Sequence, residues 1–492
     1  MSGTKPMLAI PQISKVYWIR IMLYAAQFFA VDLSVAAESK LIWDGLKNPG
    51  IRAALFDSYQ NRHFRAITQL LAEQKLGRVK STYEQASLVL GGLYLSYGFH
   101  YEAANIFENL LEKNQPQEVS DRAWFYLAKT QYHRGRLADA QNSLSKIKGN
   151  LPIALQEERL VLNANILIAQ GEYQQATTIL QKTKNRSDWY MFGRYNLGVA
   201  LYKMGEELKG IEILEDIGSI TAATKELQAL KNKANLVLAY GFLDKKDLEK
   251  AIIALQKIKL EGRHSNEALL SLGRAYSSQE QYKKSLVPWL KLIERQPSDP
   301  SVQAGFMAVP FAFGQLKAYK QSLEYYEIAM QHFQQEIDKI NKAAEAIAGG
   351  KLIEGLIRTQ TGESVAGIWT MKNILNTPEG EYLWQLMASN EFRETLFNYT
   401  QLRLSLGKLE GWSATIDTLD NLPSKRTQAY KARILQLQSK VLLASERVDH
   451  LLQKIAFDEL DSRKKRLVGY FNEARFSVAQ IYDYAAKRWG GG

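Results

Sequence analysis

Small residues return along this chain at a nearly constant pitch, and that pitch limits the folds open to it more than any other feature. Ile67, Ala103, Ala140, Ala176, Gly210, Ala251, Ser285 and Ser322 follow one another at intervals of 34 to 41 residues, all but the first of them small. A period of this length marks a stacked array in which each unit is one supersecondary hairpin. The clearest unit reads Leu90-Gly91-Gly92-Leu93-Tyr94, then Gly98, then Ala103-Ala104-Asn105-Ile106-Phe107, Leu110 and Pro116. Small residues recur on the preceding helix as well, at Gly91, Ala128, Ala164, Gly198 and Gly273. Facing small residues let two helices approach closely, while the aromatic and leucine side chains beside them fill the groove toward the next unit. One such hairpin cannot bury both its faces, so its stability has to come from stacking on neighbours.

The other units repeat the plan. Gly135, Gly171 and Gly205 follow Gly98 in the turn between helices, and Lys246 stands in the same place in the sixth unit. The eighth unit has Tyr319, Ser322, Tyr326 and Ala329, with Pro310 at the usual Gly or Ala position of its first helix. Phe64, Ile67 and Leu71 read as a degenerate first unit. The pattern resembles the tetratricopeptide repeat (TPR), and the resemblance covers roughly residues 50–330, a little over half the chain. It implies an all-α, right-handed helical-hairpin solenoid of about eight repeats that works as a binding scaffold and not as an enzyme. It also implies that the first helix of each hairpin lines a concave groove. The groove residues would be Arg122, Phe125, Lys129, Tyr132 and His133 in the third unit and Phe192, Tyr195, Tyr202 and Lys203 in the fifth. Lys233 and Tyr240 of the sixth and Arg274 of the seventh complete the set. Aromatics mixed with cations suit a peptide bearing acidic and apolar side chains. They would also suit a glycan, whose sugar faces stack on rings. Packing within the array is the competing reading of Phe125, Phe192 and Tyr195. Lys129 and Asn165 do not reproduce the two-carboxylate clamp of chaperone-binding TPRs.

The N-terminus indicates a compartment. Lys5, Lys15 and Arg20 precede the apolar run 21–31, and Ser34-Val35-Ala36-Ala37 follows. Basic, then apolar, then small is the layout of a secretory signal peptide, and the run is short for a membrane span. Residues 1–37 are therefore expected to be a cleaved signal, with an uncleaved anchor, or a mispredicted start or buried helix, as the alternatives and no stable membrane span after cleavage. The chain has no cysteine, which excludes disulfides, thiolate metal sites and a lipidated N-terminal cysteine. Export without cysteine fits a bacterial periplasm, where the sequons at Asn185 and Asn398 carry no glycan. The formal charge of +12 favours acidic partners. In the periplasm these are envelope proteins, or glycan and other cell-wall polymers, and nucleic acid is not expected.

From about Gln331 the repeat loosens. Periodicity through Ile337, Ile340, Ala343 and Ile347 predicts a helix ending at Gly349-Gly350, and breaks are expected at 359–362 and 377–380. Residues 391–422 read as a hairpin turning at Gly407, and Ser462–Trp489 as one amphipathic helix. The region 331–492 is expected to extend or cap the solenoid, with a separate recognition module as the alternative. The run Arg463-Lys464-Lys465-Arg466 reads as a solvated helix start, with contact to anionic lipid or wall polymer as the alternative.

Catalytic signatures are absent. No phosphate-binding loop, dinucleotide fingerprint or H-E-x-x-H occurs, and no cofactor or metal is called for. The segment 362–367 has one residue too many for G-x-S-x-G, and Ser145-x-x-Lys148 lacks partner motifs. Histidines 63, 100, 133, 264, 332 and 450 are never at metal spacing, and His63 and His100 are expected in exposed turns. A lytic transglycosylase carrying an α-superhelix would need a catalytic Glu in a Gly-rich compact domain. Glu363 and Glu379 lie in breaks without such support. The reading is a periplasmic scaffold for protein partners of an envelope complex, with glycan or peptidoglycan binding second and the transglycosylase third.

Overall fold

The computed structural model describes residues 48–60, 62–183, 189–349, 390–417 and 424–489. The expected signal at 1–37, Asn185, the breaks at 359–362 and 377–380, and Glu363 and Glu379 lie outside them. Eighteen α-helices and one short 3-10 turn make up the secondary structure of the described residues. Contacts divide the chain into two compact units, one running to Glu280 and the other from Gln281.

The first unit is a row of hairpins. They pair α1 (Pro49–Tyr59) with α2 (His63–Lys75), α3 (Tyr83–Tyr97) with α4 (His100–Leu111), and α5 (Gln117–His133) with α6 (Leu137–Ser145). Then come α7 (Ile153–Gln170) with α8 (Tyr173–Leu180), α9 (Tyr190–Met204) with α10 (Glu207–Ser219), and α11 (Lys225–Asp244) with α12 (Leu248–Gln256). Helix α13 (Ser265–Ser278) packs on α12, and every hairpin packs on the next one in sequence.

The small-residue register explains the pairing. Ile67, Ala103, Ala140, Ala176 and Ala251 are all 0% exposed, and Gly210 is buried. A methyl group on Gly210 would lie 2.7 Å from the Gly198 carbonyl oxygen and 2.8 Å from the Tyr202 nitrogen. On Gly91 it would meet the Phe107 ring at 2.6 Å. The helices therefore approach closely where the sequence places these glycines, backbone to backbone at Gly210 and against an aromatic ring at Gly91. The turns also obey a rule: Gly98, Gly135, Gly171 and Gly205 have φ of 90°, 75°, 84° and 97°, all left-handed. The next amide closes back across the turn, Phe99 N–H to Tyr94 O at 2.7 Å and Glu172 N–H to Leu167 O at 2.8 Å. Lys246 takes the same left-handed conformation (φ 61°), and Asp247 N–H donates to Phe242 O at 2.9 Å.

In the second unit α14 (Tyr282–Ile293) packs on α15 (Pro300–Gln315), and α15 on α16 (Tyr319–Ala348). Ser285 and Ser322 are buried at 0% and 1%. Ser322 Oγ donates to the Pro310 carbonyl at 2.7 Å, so a hydroxyl binds α16 to the helix that carries the proline. Helix α16 runs 30 residues and reaches well past the repeat.

Two long helices, α17 (Asn390–Asp417) and α18 (Ser424–Trp489), follow. Here the sequence expectation fails. Gly407 does not turn the chain: α17 runs straight through it, and the hairpin forms between α17 and α18. A lone glycine costs a helix only about 1 kcal/mol, and no Pro or second turn residue stands beside it. Nor does a helix begin at Ser462, because α18 spans 66 residues from Ser424. The run 463–466 consequently lies inside α18, where Arg463 is 5% exposed and donates to Glu459 at 2.6 Å. The C-terminal half of α18 lies antiparallel to α16, with Phe333 against Tyr470 and Tyr319 against Tyr484, ring centres 5.6 and 5.2 Å apart. No helix among the described residues is long and apolar enough to cross a membrane.

Candidate functional site

Eleven of the twelve expected groove residues lie on the first helices of hairpins and Arg274 on α13, but most of them do not face solvent. Phe125, Lys129, Tyr132 and His133 on α5, Phe192 and Tyr195 on α9, and Lys233 and Tyr240 on α11 are all between 0% and 6% exposed. Only Arg122, Tyr202, Lys203 and Arg274 keep partial exposure. The physical reason is that first helices also pack on one another along the array, as α5 does on α7, α7 on α9 and α9 on α11. The positions expected to point into a groove point into those helix-helix seams.

Polar contacts bridge the seams. Lys129 Nζ on α5 donates to Glu158 Oε1 on α7 at 2.5 Å, with both side chains under 4% exposed. Asn196 Nδ2 on α9 donates to Asn165 Oδ1 on α7 at 2.6 Å. Lys233 Nζ on α11 sits 5.1 Å from the centre of the Tyr195 ring on α9. Burial, helped by the nearby Arg263 charge, pulls Lys233 down to about 7, and burial pushes the Tyr132 and Tyr195 hydroxyls well above their usual range. The expected turn histidines are half-buried at helix starts: His63 Nδ1 is 3.2 Å from Ser58 Oγ, and the His100 ring is 5.3 Å from that of the buried His133.

A second polar device occurs twice. Gln117 donates to Asp121 at 2.8 Å, and Asp121 accepts the amides of Lys148 and Gly149 at 2.9 and 2.8 Å. Gln228 donates to Asn232 at 2.9 Å, and Asn232 accepts the Lys259 amide at 3.4 Å. In both hairpins an acceptor on the first helix fastens the segment that leaves the second.

One open concavity lies elsewhere. A cleft of about 480 Å³ forms where α8, α9 and α10 meet. Leu197, Leu201 and Met204 of α9 and Ile213 of α10 give it apolar walls, and Gln174, Thr177 and Gln181 of α8 line one side. Arg194, Glu206, Lys209, Glu212 and Asp216 supply charge around it. Arg194 Nη2 donates to Asp216 Oδ2 at 2.9 Å, and Lys209 Nζ to Glu206 Oε2 at 2.5 Å. Apolar walls with amides and mixed charges around them can seat an apolar side chain while the amides bind the peptide backbone beside it. Among the described residues no group of three His, Asp or Glu side chains is placed to hold a metal ion.

Residues 86–143, the α3–α6 stretch with its facing Gly91, Ala103, Ala128 and Ala140, match a family model described as tetratricopeptide repeat. The chain carries tetratricopeptide repeats. Several solved helical-repeat structures are similar to it at low identity. RapI in its apo form is 13% identical, with 76% of this chain and 99% of that one covered and a TM-score of 0.43. The Cut9–Hcn1 hetero-tetramer of the APC/C is 12% identical over 92% and 93%, with a TM-score of 0.34. Yeast Tom70 is 12% identical over 82% and 97%, with a TM-score of 0.21. No curated protein matches the sequence.

In TPR terms, the cleft is built from the second helix of the fourth repeat and both helices of the fifth. Sequence periodicity does not reveal it, because the cleft opens where second-helix residues of two repeats meet the first helix between them. One signal was present: Lys209, Glu212, Ile213 and Asp216 recur at three and four residues on α10, a half-polar stripe of a kind that a solely packed helix does not need. Glu158, the buried partner of Lys129, was equally invisible, since it lies a whole repeat away in sequence.

Proposed function

We propose that the chain is an exported TPR scaffold that holds a protein partner of a bacterial envelope complex in the periplasm. In this reading the α8–α9–α10 cleft takes a short segment of that partner. The cleft carries the reading, because it joins apolar walls to peptide-bonding amides on an array where most of the expected groove residues are buried between first helices. Extended repeat surfaces suit the binding of polypeptide partners. Glycan binding in the expected groove loses its support. Phe125, Tyr132, Phe192, Tyr195 and Tyr240 are at most 6% exposed and offer no ring face for a sugar to stack on. The periplasmic address is supported by the basic, apolar and small segments of residues 1–37.

The test places a photo-crosslinking amino acid at Gln181 or Glu212 in the full chain in living cells. A discrete protein adduct is expected, and Ile213→Glu together with Met204→Glu should reduce it at least tenfold. An adduct that survives those substitutions, or none at either position, would refute the cleft as the partner site. Fractionation with mass analysis of the mature N-terminus tests the address, and an uncleaved chain in the cytoplasm would overturn it.

A further inference from the structure

The first half of α18 carries a second seam that stays largely exposed beside its packed stripe. Its packed stripe runs through Ile434, Ser445 and Leu452, which are 8%, 4% and 1% exposed. About a quarter-turn round the helix runs another row: Tyr430, Arg433, Leu437, Lys440, Ala444, Arg447, Leu451 and Lys454. Its spacing alternates three and four residues without a break. Apolar and basic residues alternate along it. Tyr430, Leu437 and Leu451 are 53%, 36% and 45% exposed. Arg433, Lys440, Arg447 and Lys454 are exposed too, and none of the four makes an ion pair with another described residue. From Arg433 to Lys454 the row extends about 31 Å along the helix. The only acidic residues between Tyr430 and Lys454 are Glu446 and Asp449, and neither falls on the row.

We propose that this row is a docking seam for an acidic amphipathic helix of a partner protein, which packs on the α17–α18 hairpin as a third, supercoiled strand. A three-four spacing averages 3.5 residues, and a row with that period drifts about 20° per heptad round an α-helix. A partner helix that supercoils can follow the drift with its own apolar seam inserted between Tyr430, Leu437 and Leu451. Glutamates or aspartates flanking that seam would then meet the four cations. A flat anionic membrane fits less well, since it calls for a continuous apolar face along one line. A second copy of the same seam would set four cations against four. The inference rests on the reading of the chain as a protein-binding scaffold but uses a different surface from the cleft, so the two can fail separately.

The probe is a fluorescein-labelled peptide of four heptads with Leu at a and d and Glu at e and g, titrated by anisotropy against the full chain. Binding is expected, and R433E/K440E/R447E/K454E should weaken it at least tenfold. A matching peptide with Lys at e and g should bind that variant and not the wild type, which also shows that the variant is folded. Met204→Glu in the cleft should leave both titrations unchanged. Failure of the acidic peptide to bind, or equal binding by wild type and variant, overturns the proposal. It is also overturned if the four cations govern pelleting with phosphatidylglycerol vesicles, or dimerisation in sedimentation equilibrium, while peptide binding is indifferent to them.

Discussion

At the scale of single residues, the array is governed by sites where one methyl group decides. A methyl group added at Gly210 would come within 3 Å of the backbone of Gly198 and Tyr202, and these neighbours cannot give way by turning a side chain. Gly210→Ala should cost roughly 1–3 kcal/mol from overpacking, read as a lower urea midpoint with an unchanged slope. Lys246 presents the opposite case. It holds φ 61° where four other turns use glycine, and a left-handed side chain carries a steric penalty of roughly 1–2 kcal/mol. Part of that is offset by the freedom glycine has when unfolded, so Lys246→Gly should stabilise by about 0.5–1 kcal/mol and raise the melting temperature. Both positions were legible in the sequence, because a turn glycine and a facing small residue are local requirements. What Lys246 itself would do was not, since only the chain's return through Asp247 to Phe242 forces the left-handed turn.

At the scale of helices, the decisive contacts join elements of neighbouring repeats. Lys129 and Glu158 form an ion pair out of water between α5 and α7. Removing one partner leaves the other charge buried, so Lys129→Met should destabilise by roughly 3–5 kcal/mol. The double variant Lys129→Met with Glu158→Met should return to within about 1 kcal/mol of wild type, because paired apolar groups carry no desolvation penalty. A double variant as unstable as the single would show that the pair holds the seam in some other way. This contact also explains why most of the expected groove residues are buried. Periodicity correctly places Lys129, Tyr132 and Tyr195 on first helices, yet it cannot tell a face open to solvent from one covered by the next repeat. Helices α17 and α18 teach the converse lesson. Gly407 carried the right chemistry for a turn, but continuous helical spacing on both sides outweighed it.

At the scale of the molecule, Lys233 ties stability to pH. Its folded value near 7 lies below the value of about 10.4 expected when unfolded. Between those values the unfolded chain binds a proton that the folded one does not, so stability falls as pH drops from about 10 to about 7 and then levels off. Lys233→Met should therefore raise the melting temperature most at pH 6 to 7, and its advantage over wild type should shrink as pH approaches 10. A constant difference across that range would show that burial of the ammonium is not what shifts Lys233.

The sequence by itself determined the helical hairpin, its pitch, its turns and the small residues that let its helices meet. Each of these depends on residues within one repeat, where local geometry fixes the outcome. It also determined which residues ride on first helices. Only the tertiary structure decided which faces those helices hide, that α18 is continuous from Ser424, and that a cleft opens among α8, α9 and α10. Those outcomes depend on how far one repeat is rotated on the next. That rotation is set by many weak contacts between residues distant in sequence, and no period in a single chain records it.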